Sequence, residues 1–166
     1  MQTDLHKGPI HSKQSISYMS IIKQFFEWIN LKERLHISEH KIPLFKEGEV
    51  WWCALGENVG VEMNGKSGKF SRPICIFKKL SQDGFLGIPL STKDKQGTWY
   101  IPISHKDINC VAVLSQMRVL SSKRLFDKQG ELDEKDFEKI KQGFYSLYLG
   151  EKFVPLDSGV VGKSQI

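Results

Sequence analysis

The chain has 166 residues, 40% of them apolar and 26% charged, a composition that supports one folded domain with an appendage and excludes a large multidomain enzyme or a wholly disordered chain. Its longest apolar runs, such as Ile74-Cys75-Ile76-Phe77, fall far short of the ~18–20 residues needed to cross a bilayer, so a soluble protein is expected. Lys and Arg number 24 against 19 Asp and Glu, and the resulting charge of +5 admits a polyanionic partner without requiring one.

Residues 1–14 are polar, broken by Gly8-Pro9 and without period, which predicts a frayed terminus. They show no basic region followed by an apolar block and a cleavage site, so a cytoplasmic protein is expected. From Ser15 the positions Met19, Ile22, Phe25 or Phe26, and Ile29 recur at three- and four-residue steps, predicting an amphipathic helix from about Ile16 to about His36 with Lys23, Glu27 and Lys32 on its wet side. Pro43 and Gly48 then punctuate a linker, so residues 1–44 read as a tail and helical extension. From Glu49 the period changes to short β runs: strands are predicted at Val50–Leu55, Pro73–Lys78, Phe85–Leu90, Thr98–Ile103, Val111–Ser115 and briefly at Arg118–Leu120. Pro73 has no N–H for a ladder and belongs at a strand start or edge. Too few for a sandwich, these strands imply a small, strongly bent sheet or barrel, mainly β with helices. Two loops stand out, Gly-rich Gly56 to Ser71 and charged Lys93 to Gly97. A second helix follows, with Asp133 as N-cap, Asp136 in the reciprocal capping position, and Phe137, Ile140, Phe144 and Leu147 as its apolar stripe. Residues 45–150 thus form the body, and 151–166 a flexible tail.

Cys53, Cys75 and Cys110 are odd in number, lack C-x-x-C spacing and sit in apolar stretches, the pattern of reduced core residues. Four of the five histidines (His6, His11, His36, His40) lie in the extension, and only His36 and His40 have a ligand-like spacing, at a helix end. No metal cofactor is expected. The remaining one, His105, stands beside Lys106 and Asp107 in a predicted turn, which offers little to a nucleophilic triad. Gly65-x-x-Gly68 lacks the helix and Lys-Ser/Thr of a phosphate-cradling loop and reads as mobile. A cluster built from strand ends remains. Arg72 precedes Pro73 at one strand mouth, Ser91-Thr92 follows another strand, and Gln116-x-Arg118 follows a third. If these strands are neighbours, their ends share one rim, and a guanidinium fork with hydroxyl donors suits a phosphodiester under attack by a neighbouring 2′-OH.

Four blocks in order, Glu49-Val-Trp-Trp-Cys-Ala-Leu-Gly-Glu-Asn-Val-Gly-Val-Glu62, Arg72-Pro-Ile-Cys-Ile-Phe77, Ile88-Pro-Leu-Ser-Thr92 and Val113-Leu-Ser-Gln-Met-Arg-Val-Leu-Ser-Ser-Lys-Arg-Leu125, resemble the PemK/MazF family of toxin endoribonucleases. The resemblance covers roughly Phe45 to Leu149, and the stretch Trp28-Ile-Asn-Leu-Lys32 is similar to that of a longer subgroup with a helical extension. It implies an SH3-like barrel of the PemK/MazF/CcdB type, a homodimer, and metal-independent cleavage of single-stranded RNA at short sequences. It also implies an antitoxin that restrains the toxin and forms a DNA-binding complex with it. The family's catalytic Arg and hydroxyl residue fall on Arg72 and Ser91, with Ser where many members have Thr.

Arg is a poor proton acceptor, so Arg72 is expected to clamp the transition state and Glu62 to take the 2′-OH proton, unless Glu62 simply pairs with Arg72 or Arg118 in the free protein. Given the barrel, Lys66, Lys69, Phe70, Thr92, Lys93, Lys95, Trp99, Gln116 and Arg118 are expected to bind RNA by stacking and by charge. From Gly56 to Lys95 seven Lys and Arg oppose four Asp and Glu, which places the excess near that rim. Two competing readings are a noncatalytic binding module on the same barrel and a toxin directed at a protein target.

Overall fold

The computed structural model describes residues 11–39 and 43–150, and the expected tail at 151–166, together with His6 and His40, lies outside them. Seven strands follow helix α1 (His11–Ile37): β1 (Glu49–Ala54), β2 (Ser71–Lys79), β3 (Gly84–Ser91), β4 (Tyr100–His105), β5 (Ile108–Val113), β6 (Arg118–Ser121) and β7 (Leu125–Glu131). Helix α2 (Glu134–Phe144) closes the body and runs into a π turn, Tyr145–Leu149. All pairings are antiparallel in the order β4-β5-β3-β2-β1-β7, with β6 also on β3. The sheet is the small bent arrangement expected of an SH3-like barrel, left open because β4 and β7, at its ends, do not pair. No helix among the described residues is long and apolar enough to cross a membrane.

Strand alternation divides the core in two. Trp51, Cys53, Leu55, Ile74, Ile76 and Phe85 pack in one cluster. Val50, Cys75, Ile88 and Leu90 point the other way and meet Ile140 of α2. Burial raises the Cys53 thiol to about 12 and Cys75 higher still, so both stay protonated as packing groups. Cys110 differs from expectation in being only half-buried.

Strand β3 is the hub, and its proline locates the bend. Residues Gly84 to Gly87 pair with β6, whereas Leu90 and Ser91 pair with β5. Pro89 falls between these ladders, where its missing N–H costs neither a bond. Pro73 behaves likewise: it pairs with Trp52 of β1, but the ladder to β3 begins one residue later, at Ile74. Arg72 thus pairs with Cys53 of β1 ahead of the ladder to β3, and Ser91 ends β3 opposite Val111 of β5.

Several expectations are corrected. The strands expected at Thr98–Ile103 and Val111–Ser115 are shifted: β4 begins at Tyr100 and β5 at Ile108, joined through Lys106 and Asp107 at φ 51° and 60°, a two-residue primed turn that puts His105 at the end of a strand. Strand β7 is an addition to the expected strands: Phe126-Asp-Lys-Gln-Gly130 is largely polar and carries no apolar alternation, and its partner, β1, supplies the ladder. In α1 the expected stripe is wrong in phase. Ile22, Phe25, Phe26 and Ile29 are exposed, while Trp28, Leu31 and Leu35 face the body. Asp133 does cap α2, accepting from the Asp136 N–H at 2.7 Å, but Asp136 does not reciprocate. Its buried carboxylate instead accepts from the Ser104 N–H at 2.7 Å and pairs with Lys139, tying α2 to β4.

Candidate functional site

Arg72 and Ser91 are brought together on the wall between two cavities. One, of about 310 Å³, is lined by both residues with Glu62, Asn64, Lys93, Lys95, Tyr100 and Gln116. The other, of about 290 Å³, shares Arg72 and Ser91 and adds Trp52, Lys66, Thr92, His105, Lys106, Ile108 and Gln129. Among the predicted site residues, these walls thus unite Arg72, Ser91, Glu62, Lys66, Thr92, Lys93, Lys95 and Gln116.

The Arg72 side chain leaves β2 opposite Cys53, half-buried, and its Nε donates to the backbone carbonyl of Asn64 in the long loop. That bond sets the plane of the guanidinium and leaves its terminal nitrogens to the cavities. Burial lowers the Arg72 pKa, yet an arginine remains charged in this setting. Ser91 is only 6% exposed, and its hydroxyl oxygen accepts from the Lys93 N–H at 3.2 Å, which leaves the O–H proton to donate. Glu62 is exposed on the loop, where its carboxylate accepts from the Val59 N–H at 3.3 Å; among the described residues no ion pair joins it to Arg72 or Arg118. One cavity therefore gathers a fixed cation, a hydroxyl donor and an exposed carboxylate. His105 is held towards the neutral form by burial and by Lys106, despite its hydrogen bond to the Gln129 carbonyl.

The loop between β1 and β2 is less free than its glycines imply. Its neck is closed by Leu55 and Gly56 N–H groups on the Phe70 carbonyl, by Gly65 N–H on the Gly56 carbonyl at 2.7 Å, and by reciprocal Lys66 and Ser71 backbone bonds. Its tip is clasped from across the rim. Gln116 accepts from the Met63 N–H at 2.7 Å and donates to the Val61 carbonyl at 3.1 Å, so its amide holds the loop rather than standing open to a base.

Four expected RNA contacts fall outside both walls. Phe70 is buried against Trp28, ring centroids 5.8 Å apart. Trp99 lies edge-on to Tyr148, also at 5.8 Å. The Lys69 ammonium sits 5.9 Å from the Phe126 ring, and Arg118 reaches Asn58 at 3.5 Å. Conversely, Asn64, Tyr100, Trp52 and His105 line the cavities without having been expected there. The Asn64-Gly65 dipeptide is a turn signal that could have drawn attention to Asn64, whereas the other three depend on strand register. The described residues contain no cluster of three or more His, Cys, Asp or Glu arranged to hold a metal ion.

Comparison with known proteins agrees with this architecture. The family described as "PemK-like, MazF-like toxin of type II toxin-antitoxin system" matches residues 46–148, well over half the chain. No curated protein matches it. Among solved structures, MazF from Deinococcus radiodurans is similar at 18% identity and a TM-score of 0.54, covering 68% of this chain and 100% of that one. An endoribonuclease in complex with its cognate antitoxin, from a mycobacterial species, is similar at 16% identity and a TM-score of 0.52, covering 67% of this chain and 100% of that one. At these identities the likeness is one of fold.

Proposed function

The chain belongs to the PemK-like, MazF-like toxins of type II toxin-antitoxin systems, and from that premise we propose that it is an endoribonuclease that cuts single-stranded RNA by internal 2′-OH attack. The carrying observation is that Arg72 and Ser91 share one wall with cavities on both sides, the arrangement a phosphodiester needs if nucleotides are to extend in two directions from it. The scissile phosphate sits against that wall. Glu62 takes the 2′-OH proton as the 2′-oxygen bonds to phosphorus, and the bond from phosphorus to the 5′-oxygen breaks. Arg72 binds the non-bridging oxygens as their charge grows and supplies the proton to the leaving 5′-oxygen through its guanidinium or a water it holds. Ser91 donates to the same oxygens. Lys66, Lys93 and Lys95 line the approaches and attract the flanking phosphates.

The reading needs no metal, because Arg72 supplies the positive charge at phosphorus. Labelled single-stranded RNA incubated with the protein in EDTA is therefore expected to yield a 2′,3′-cyclic phosphate and a 5′-hydroxyl. A substrate with a 2′-deoxy sugar at the scissile position is expected to survive. Equal cutting of the deoxy substrate would refute internal attack, and binding without cleavage would identify a binding module. Restraint by a cognate antitoxin belongs to the same proposal, since one structural neighbour is an endoribonuclease bound to its antitoxin.

A further inference from the structure

We propose that Trp28 of α1 is a positioning residue for Arg72, so that the helical extension completes the site although it touches neither cavity beside Arg72. The proposal rests on the role assigned to Arg72 above, and the contacts that carry it are continuous. Trp28 is 7% exposed and packs on Phe70 and Ala54, the residues at the two ends of the loop neck. Its indole lies so close to Gly56 that a Cβ there would fall 2.2 Å from a ring carbon, and Gly56 also has φ +94°. The Gly56 carbonyl in turn accepts from Gly65, the residue after Asn64, and the Asn64 carbonyl accepts from Arg72 Nε. One indole thus bears on both ends of the neck, and the neck places the carbonyl that orients the guanidinium.

The body holds Trp28 in return. The Arg124 guanidinium lies 5.4 Å from the indole centroid and its Nη1 donates to the Ala54 carbonyl at 2.8 Å. Lys123 Nζ donates to the His36 carbonyl at 2.7 Å, in the last turn of α1, where a cation suits the helix dipole. Both cations come from the short 3₁₀ turn after β6 (Ser122–Arg124), so α1 is docked by a dedicated element rather than by general adhesion. A helix that served only solubility or assembly would need neither contact with the loop neck.

The test uses the full chain with Trp28→Ala and Trp28→Phe, comparing turnover of one cleaved oligonucleotide and the exchange of the Arg72 Nε–H by NMR, at a temperature where circular dichroism shows each variant folded. Trp28→Ala is expected to lower kcat by about tenfold or more with KM changed less than about twofold, because a small misplacement of the clamp acts on the transition state. Its Arg72 Nε–H is expected to exchange faster, and Trp28→Phe, which keeps an aromatic ring beside Gly56, to recover most of both properties. Should Trp28→Ala fail to fold, Trp28→Leu is read in the same two assays. Unchanged kcat in a folded variant, or an unchanged Nε–H, overturns the proposal. If the unaltered protein cuts no RNA, the cleavage reading fails by itself, and Nε–H exchange still decides whether Trp28 positions Arg72.

Discussion

Arg72 combines two properties that a surface arginine lacks: partial burial, and a backbone partner that fixes its Nε. Arg72→Ala is expected to cost about a hundredfold or more in turnover, on the scale of losing a donor aimed at developing charge, with thermal stability little changed. Arg72→Lys is expected to recover little, since a point charge cannot reproduce a planar fork. Ser91→Ala should cost less, because one neutral donor is lost while the clamp stays. Gln116 offers a separate measurement. With both ends of its amide committed to Met63 and Val61, Gln116→Ala should speed hydrogen exchange at the Met63 amide and lower kcat more than it weakens RNA binding. A loss confined to RNA binding would return Gln116 to the role of a base contact.

At the scale of elements, buried acids serve as ties between strands and helices. Glu49 of β1 is 3% exposed and accepts from Trp51 Nε1 at 2.9 Å, from Lys46 N–H at 3.0 Å and from Lys128 of β7 at 2.5 Å. Burial raises its pKa, but the bonds from Lys128, Trp51 and Lys46 together outweigh that and hold it below the ordinary 4.5. Asp136 is held below its ordinary 3.8 in the same way by Lys139 and the Ser104 N–H. A carboxylate whose folded pKa is depressed adds stability that is fully present above its ordinary value and is lost as pH falls through the folded one. The melting temperature is therefore expected to hold from neutrality to about pH 5 and then drop, and Glu49→Gln should flatten the part of that drop that begins near 4.5. Thermal melts across pH check the slope. The α2 cap gives a simpler case: Asp133→Ala is expected to cost about 1 kcal/mol in denaturant unfolding, the usual worth of an N-cap side chain.

For the molecule as a whole, large apolar side chains stay exposed among the described residues. Trp51 is inside the core, but Phe126 and Trp99 are 47% and 42% exposed, and Phe26 and Ile29 on α1 are 63% and 55% exposed. A homodimer at micromolar concentration is expected from sedimentation, with part of that surface covered, and a strict monomer would refute it. The +5 charge and the lysines along both cavities favour an inhibitor with acidic residues between apolar anchors. Its affinity should fall as salt rises, and its contact should shield Arg72 and Lys66 from RNA. An antitoxin interface leaving both open would contradict this.

The local signals were strong where chemistry and period coincide. Alternating apolar residues around Trp51 and Ile74 mark β1 and β2, and Asp133 marks the start of α2, whereas Arg72 and Ser91 stand out through the family resemblance of their blocks. Such features depend on neighbours in sequence, so they can be read without the fold. What escaped reading depended on partners far along the chain. Strand β7 exists because β1 offers it a ladder, the buried face of α1 is chosen by a groove at Gly56 and Phe70, and Gln116 is a clasp because Val61 and Met63 arrive beside it. The same holds for Phe70, whose ring looks fit for stacking on a base until Trp28 is seen to cover it. Apolar and aromatic side chains carry no label of their destination, because the force that buries them is nondirectional and the available partner decides where they go.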